Sequence, residues 1–299
     1  MIFFICKLVV MKRSIILFLS FFILVVGAKS QSLDIGIGVG GSLYWGDLNS
    51  ESFGINLGNT NIAVQVNANY VMSDYISIRG GLLYGTLSGD DSKSTRDWQR
   101  LRNLNFKSTL IEASIMGELH IFGYNKLGED SPFSPFVTVG LSGFYYNPTT
   151  VLDGQEIALQ PLGTEGQGLP GFGNKYNKFS GAITFGAGVK MKLSESVTLV
   201  VDGIARRTFT DYLDDISGNY VSYPELAAGN GEIAARLGNR MAEFLGQGEP
   251  VILETGSQRG GVNVQDYFFT GMATFYVNLT DNSGFGGRRG VNISKCPKF

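Results

Sequence analysis

Apolar and polar residues alternate one by one through eight separate stretches of this 299-residue chain, and side chains that alternate in this way occupy opposite faces of a β-strand. In the first stretch Leu33, Ile35, Ile37, Val39, Leu43 and Trp45 share one face, while Asp34, Gly36, Gly38, Gly40, Ser42 and Tyr44 share the other. The second sets Ile62, Val64, Val66, Ala68, Tyr70 and Met72 against Ala63, Gln65, Asn67 and Asn69. The same pattern recurs from Ile76 to Leu87, then around Ile111, Val139, Phe185, Val201 and Phe275. Each stretch runs to about ten residues or more, enough for a tilted strand to cross a bilayer; strands of soluble sandwiches are nearer ~5–6 residues.

The connections alternate as well. Ser73–Asp74, Gly123–Ser134 and Leu193–Ser196 are short, whereas Asp47–Asn59, Gly89–Asn105, Asn147–Tyr176 and Thr210–Gln265 are long. Short turns on one side and long loops on the other describe a membrane barrel, and an even strand number returns both termini to the short-turn side. Lipid cannot satisfy an open sheet edge, so the sheet must close. The expected fold is therefore all-β, an eight-stranded antiparallel up-and-down transmembrane barrel over 31–280. A soluble lipocalin-like barrel is the competing arrangement; it reverses the faces and leaves the small and charged set alone to meet water.

The start of the chain supplies an address. Lys12 and Arg13 precede an apolar run from Ile15 to Val26, and Ala28-Lys29-Ser30 follows. That order predicts a secretory signal peptide over 1–30, with Met11 as a second possible start and a retained anchor as the alternative. No cysteine lies at the cleavage site for lipid attachment, and no later run of ~18 apolar residues marks a transmembrane helix.

Composition excludes several chemistries. A net charge of −2 gives no basic field for nucleic acid. Two cysteines and one histidine make neither a disulfide framework nor a histidine-rich metal centre. Gly36-Ile37-Gly38-Val39-Gly40-Gly41 matches a dinucleotide fingerprint, but alternation runs straight through it and no helix follows. His120 sits at the end of the fourth stretch with Glu118, pointing inward. It reads as an interior hydrogen-bonded group, not as the base of a lipid hydrolase, which needs a serine or carboxylate beside it near the lipid. Asp211, Asp214 and Asp215 read as a solvated acidic loop in preference to a calcium site. No enzyme activity and no cofactor are expected.

Eight strands enclose a lumen wide enough only for side chains. The inward set includes Arg79, Glu112, Glu118, Lys190, Asp202 and Arg206, and opposite charges in so confined a space should pair into a structural plug. Inward glycines at 36, 38, 40, 81, 140, 186 and 188 should make room for these larger groups. In the longest loop Pro224 opens a helical pattern carrying Ile233, Leu237, Met241, Phe244 and Leu245, firmest over Glu232–Leu245 and ended by Gly246. Its apolar stripe is expected to cap the barrel mouth, with docking of a partner as the alternative. A tail over 281–299 follows the last strand, and Cys296 is the sole thiol beyond the signal segment. In an oxidising compartment that thiol suggests an intermolecular disulfide or a spare group.

Two segments carry a family resemblance. Leu43-Tyr44-Trp45-Gly46-Asp47-Leu48 resembles an opening motif, and Arg206-Arg207-Thr208-Phe209-Thr210-Asp211-Tyr212-Leu213-Asp214-Asp215-Ile216-Ser217-Gly218-Asn219-Tyr220-Val221 a seventh-strand-to-loop signature, of the PorG proteins of the type IX secretion system. The Lys295-Cys296-Pro297 segment is similar too. The resemblance implies a bacterial outer-membrane barrel, with periplasmic termini, that anchors a periplasmic PorK–PorN ring; it brings no catalytic residue. Within the tail Arg288, Arg289 and Cys296 are the expected contacts, on position alone, and outer-membrane lipid is the other expected partner. The rival reading is an OmpA-like structural or adhesin barrel acting through its surface loops.

Overall fold

The strands close on themselves. In the computed structural model, which describes residues 32–48, 59–124, 132–194, 196–261 and 265–280, eight long strands form one ring, each paired with its neighbours along the chain and the first with the last. The strands are β1 Ser32–Trp45, β2 Asn61–Val71, β3 Ile76–Asp90, β4 Asn105–His120, β5 Phe133–Leu152, β7 Phe179–Lys192, β8 Val197–Thr208 and β9 Tyr267–Asn278. A short β6, Gln155–Ala158, folds back on the end of β5 outside the ring. Every ring pairing is antiparallel. This is the eight-stranded barrel that the alternation predicts. The segments assigned to a signal peptide and to a tail, with Arg288, Arg289 and Cys296, lie outside the described residues, as does most of the first long loop.

Period-two patterning fixes the register, because a one-residue slip would turn a whole strand inside out. Ile37, Ile62, Leu82, Ile115, Val139, Phe185, Val201 and Phe275 all face outward and are exposed. Exposed aromatics gather at both ends of this apolar band, with Tyr75, Phe122 and Phe133 at the short-turn end and Phe179 and Phe209 at the other. An apolar belt with aromatic girdles is the surface a barrel presents to lipid. Among the described residues no helix is long and apolar enough to cross a membrane.

The interior holds more than the expected charge plug. Its short-turn half is mostly polar around a small cluster of Phe136, Val200 and Tyr276, whereas its long-loop half holds an apolar core of Leu83, Leu87, Phe106, Leu110, Phe144 and Phe268. Phe144 packs edge-on to Phe268 with centroids 5.6 Å apart. That core continues without a break into the loops through Leu48, Leu152, Leu159, Leu213, Ile216 and Leu237. The 16 and 20 residues of β4 and β5 overshoot the ~9–11 that a bilayer needs, so they carry the barrel wall up into this loop-built cap.

In their described residues the second, third and last long loops are folded. The second contains α1, Asp97–Arg102, and the last contains α2 Tyr223–Asn230, α3 Glu232–Gly238 and α4 Met241–Leu245. The single helix expected over Glu232–Leu245 is thus broken. Gly231 has a φ of 95°, outside helical space, and the chain leaves α3 in an extended conformation at Asn239. Pro224 does open α2, and Gly246, at φ 64°, ends α4. The predicted stripe does not form one face. Leu237 is buried, while Ile233, Phe244 and Leu245 stay exposed, so Leu226, Ala234, Ala235 and Leu237 cap the mouth instead.

Candidate functional site: a filled lumen beneath a folded outer cap

All six charged residues singled out from the sequence point into the lumen, in two groups. Near the short-turn end, Lys190 donates to Glu118 at 2.6 Å, and Ser77 donates to the same carboxylate oxygen at 2.8 Å. Arg79 approaches the other Glu118 oxygen at 3.0 Å, a charge contact more than an aligned hydrogen bond, and donates to Asp202. Higher up, Arg206 grips both oxygens of Glu112 at 3.1 and 3.3 Å and donates to the Ile204 carbonyl. Planar guanidinium and carboxylate groups match in this bidentate geometry.

His120 joins the lower group through Ser77, whose hydroxyl lies 2.9 Å from its Nε2. Nearby, Tyr124 donates to Asp34 and offers its ring face to the Lys190 ammonium 4.9 Å away. Tyr124 thereby covers the charged group at the short-turn end of the lumen. Gly188 shows why glycine stands beside these groups: a Cβ there would lie 2.7 Å from both Asp202 Cβ and the Phe136 ring.

This filling leaves no room for water to pass. Inward side chains from Asp34, Gln65 and Asn67 through Glu112, Thr138 and Ser142 to Lys190, Asp202 and Thr274 are at most 9% exposed. A wet channel would expose its wall.

The outer cap holds a second buried charge system, built where the two resemblance segments meet. The Tyr44 hydroxyl lies 2.7 Å from Asp214 Oδ2 and 2.8 Å from Asp266 Oδ1. A phenol has one proton to donate, so one of these two contacts is completed by a protonated carboxyl. The Leu213 amide donates to Asp266, and the Ile216 amide to Asp214. Burial first, then the neighbouring aspartates Asp47 and Asp214, push the Asp214 and Asp266 carboxyls far above the usual range. Asp214 and Asp215 are both 1% exposed. The solvated acidic loop expected from Asp211, Asp214 and Asp215 is therefore overturned: the loop folds inward over an apolar core and carries its carboxyls with it. Among the described residues no group of three or more His, Cys, Asp or Glu is arranged to hold a metal ion.

Two arginines that the sequence pattern did not mark bind the cap together. Arg102 donates to both oxygens of Asp91 at 2.7 and 2.9 Å, to the Arg259 carbonyl at 2.7 Å and to the Asp47 carbonyl at 2.8 Å. It thereby ties the first, second and last long loops. Arg259 donates to Glu165 at 2.9 Å, to the Asp215 carbonyl at 2.9 Å and to the Gly238 carbonyl at 3.1 Å. Asp215 also accepts from Tyr176 at 2.6 Å, and Tyr176 stacks on Tyr212 at 4.5 Å. No local spacing announces these contacts, since their partners come from loops far apart in the chain.

Replacing Tyr44 with Phe should strand the two carboxyls with no bridging hydroxyl and weaken the cap by about 1–3 kcal/mol. Hydrogen exchange at the Leu213 and Ile216 amides reads this out. Unchanged protection there would show that the bridge is not what holds the loop.

A family model described as a domain of unknown function, DUF6089, matches residues 12–234. No curated protein matches the chain. Among solved structures, the chain is similar to Neisserial surface protein A at 12% identity, with 83% of this chain and 99% of that one covered and a TM-score of 0.39. The corresponding values for the attachment invasion locus protein of Yersinia pestis, in complex with the heparin analogue sucrose octasulfate, are 8%, 83%, 97% and 0.36. For a major outer membrane protein from Thermus thermophilus they are 11%, 84%, 100% and 0.37.

Proposed function

The chain belongs to the DUF6089 family, a domain of unknown function, and from that premise we propose that it is a sealed barrel of the bacterial outer membrane that serves type IX secretion as a non-enzymatic structural part. One observation carries the structural half of this reading. The lumen is packed with ion pairs below and apolar side chains above, so the barrel acts through its surfaces and not through a pore. The apolar outer belt supports a membrane location, and export through a signal peptide over 1–30 supports the outer membrane.

The secretion half rests on the resemblance of Leu43–Leu48 and Arg206–Val221 to PorG proteins. In this reading the periplasmic turns and the tail over 281–299 hold a PorK–PorN ring. Arg288 and Arg289 supply charge contacts there, and Cys296 offers an intermolecular disulfide. Removing residues 283–299 should release the ring partners in an affinity pull-down from detergent-solubilised membranes, while the barrel still inserts and migrates in its heat-modifiable folded form. Undiminished recovery of those partners would overturn the anchoring role. A second reading, a surface adhesin, is favoured by the exposed Trp98 and Ile252 on the cap; it requires the same deletion to change nothing while cap variants lose attachment.

A further inference from the structure

A groove interrupts the otherwise bulky outer wall. It holds about 580 Å³ and is lined by Gly41, Gly203 and Gly271 with Leu43, Phe185 and Phe269 above them. Strand register explains its shape. Gly41 pairs with Gly271, Gly271 with Gly203 and Gly203 with Ala187, so four neighbouring strands present their smallest side chains at one level. The level below is Val39, Ala273, Val201 and Val189. The topmost level, four residues and ~13 Å nearer the cap along the strands, is Trp45, Tyr267, Arg207 and Ile183.

The barrel itself has no use for two of these glycines. A Cβ at Gly203 or Gly271 would meet nothing within 4 Å, and neither has a positive φ. A glycine inside a strand costs roughly 0.5–1 kcal/mol and often marks a close approach by a ligand or another backbone. In the other adjoining outward pair Gly143 is equally open, but Phe209 lies 3.1 Å from a Cβ at Gly181 and fills that side.

The rim sets the chemistry of the occupant. Arg207 is exposed, its guanidinium held by Gln265 at 3.2 Å, and no acid shares its level. A cation among Trp45 and Tyr267 at the girdle, above an apolar trough, complements an anionic headgroup with an acyl chain beneath it. We propose that this groove binds one anionic, phosphate-bearing membrane lipid, its headgroup at Arg207 and its chain laid over Gly203 and Gly271. The proposal rests on the membrane reading above.

Trp45 lines the groove, and the chain's other tryptophan, Trp98, is on the cap. A Trp98→Phe background therefore makes Trp45 the reporter. The full chain is reconstituted in phosphatidylcholine bilayers containing equal low fractions of acyl-brominated phosphatidylglycerol or acyl-brominated phosphatidylcholine. Quenching of Trp45 should report about fivefold preference for the anionic lipid, the scale of one interfacial cation. Arg207→Gln should abolish the preference, and so should Gly203→Leu with Gly271→Leu, which leaves Arg207 in place. Equal quenching by both lipids in the parent overturns the site, as does a preference that survives filling the trough. Quenching that falls as protein is added per lipid would make a second copy the occupant and overturn the lipid. If neither lipid quenches Trp45, the membrane reading fails first.

Discussion

Arg79→Met should cost the folded barrel about 3–5 kcal/mol, the scale seen when one partner of a buried ion pair is removed. The lost contacts are unequal. Glu118 keeps Lys190 and Ser77, but Asp202, 4% exposed, loses the one cation that pairs with it among the described residues. A carboxylate left unpaired and buried in the lumen is driven to take up a proton or pull the wall open. The measurement is the urea midpoint of the reconstituted barrel, followed by its heat-modifiable mobility. Adding Asp202→Leu should recover much of the loss, because an apolar pair of similar volume replaces the ionic one. A single variant as stable as the parent would mean that water reaches the lumen, and the sealed barrel would have to be abandoned.

The second large effect belongs to the cap. Arg259→Met should free Glu165 and the Asp215 and Gly238 carbonyls together, again at about 3–5 kcal/mol, this time confined to the loops. Glu165 accepts from the Ser217 and Gly218 amides, so their hydrogen exchange is the direct readout. The variant should also change the pH response. Burial raises the Asp215 carboxyl to about 6, against the pull of Arg259, and burial raises Asp211 to about 7. An aspartate in the unfolded chain titrates near ~3.9. The folded cap therefore binds these protons more tightly than the unfolded loop does. Their contribution is complete below ~4 and is lost as pH rises, to about 6 for Asp215 and about 7 for Asp211. Without Arg259 the Asp215 midpoint should move above about 6, so that loss extends to higher pH. Protection at Ser217 and Gly218 that matches the parent at both acid and neutral pH would show that Arg259 does not hold the cap.

These two arginines mark the border of what the sequence discloses. Arg79 is legible because period two assigns it a face: with Ile78 and Gly80 outward, it has nowhere to go but the lumen. The same logic places Glu112, Glu118, Lys190, Asp202 and Arg206. Alternation says nothing of who pairs with whom across a barrel, since Arg79 and Asp202 are joined by closure and not by neighbouring strands.

Above the membrane the logic lapses. Already within the apolar belt, Leu82 and Leu83 are both apolar, so alternation alone does not separate the lipid-facing side chain from the one in the core. Arg102 and Arg259 lie in loops where no period operates, and their partners come together only when four loops fold over one another. Asp214 and Asp215 look like surface acids until Tyr44, Thr164 and Tyr176 are seen to enclose them. The break at Gly231 was foreshadowed by Gly229-Asn230-Gly231, but the departure at Asn239 was not.

The core that runs from Phe268 through Leu110 to Leu213 and Leu237 also bears on immune recognition. Loops sharing one interior with the barrel cannot be presented as independent ribbons. In the orientation proposed above, with the cap outside the cell, an antibody must engage residues drawn from several loops at once. Sera raised against one of the three later loops as a linear peptide should then recognise the denatured chain and pass over the folded protein.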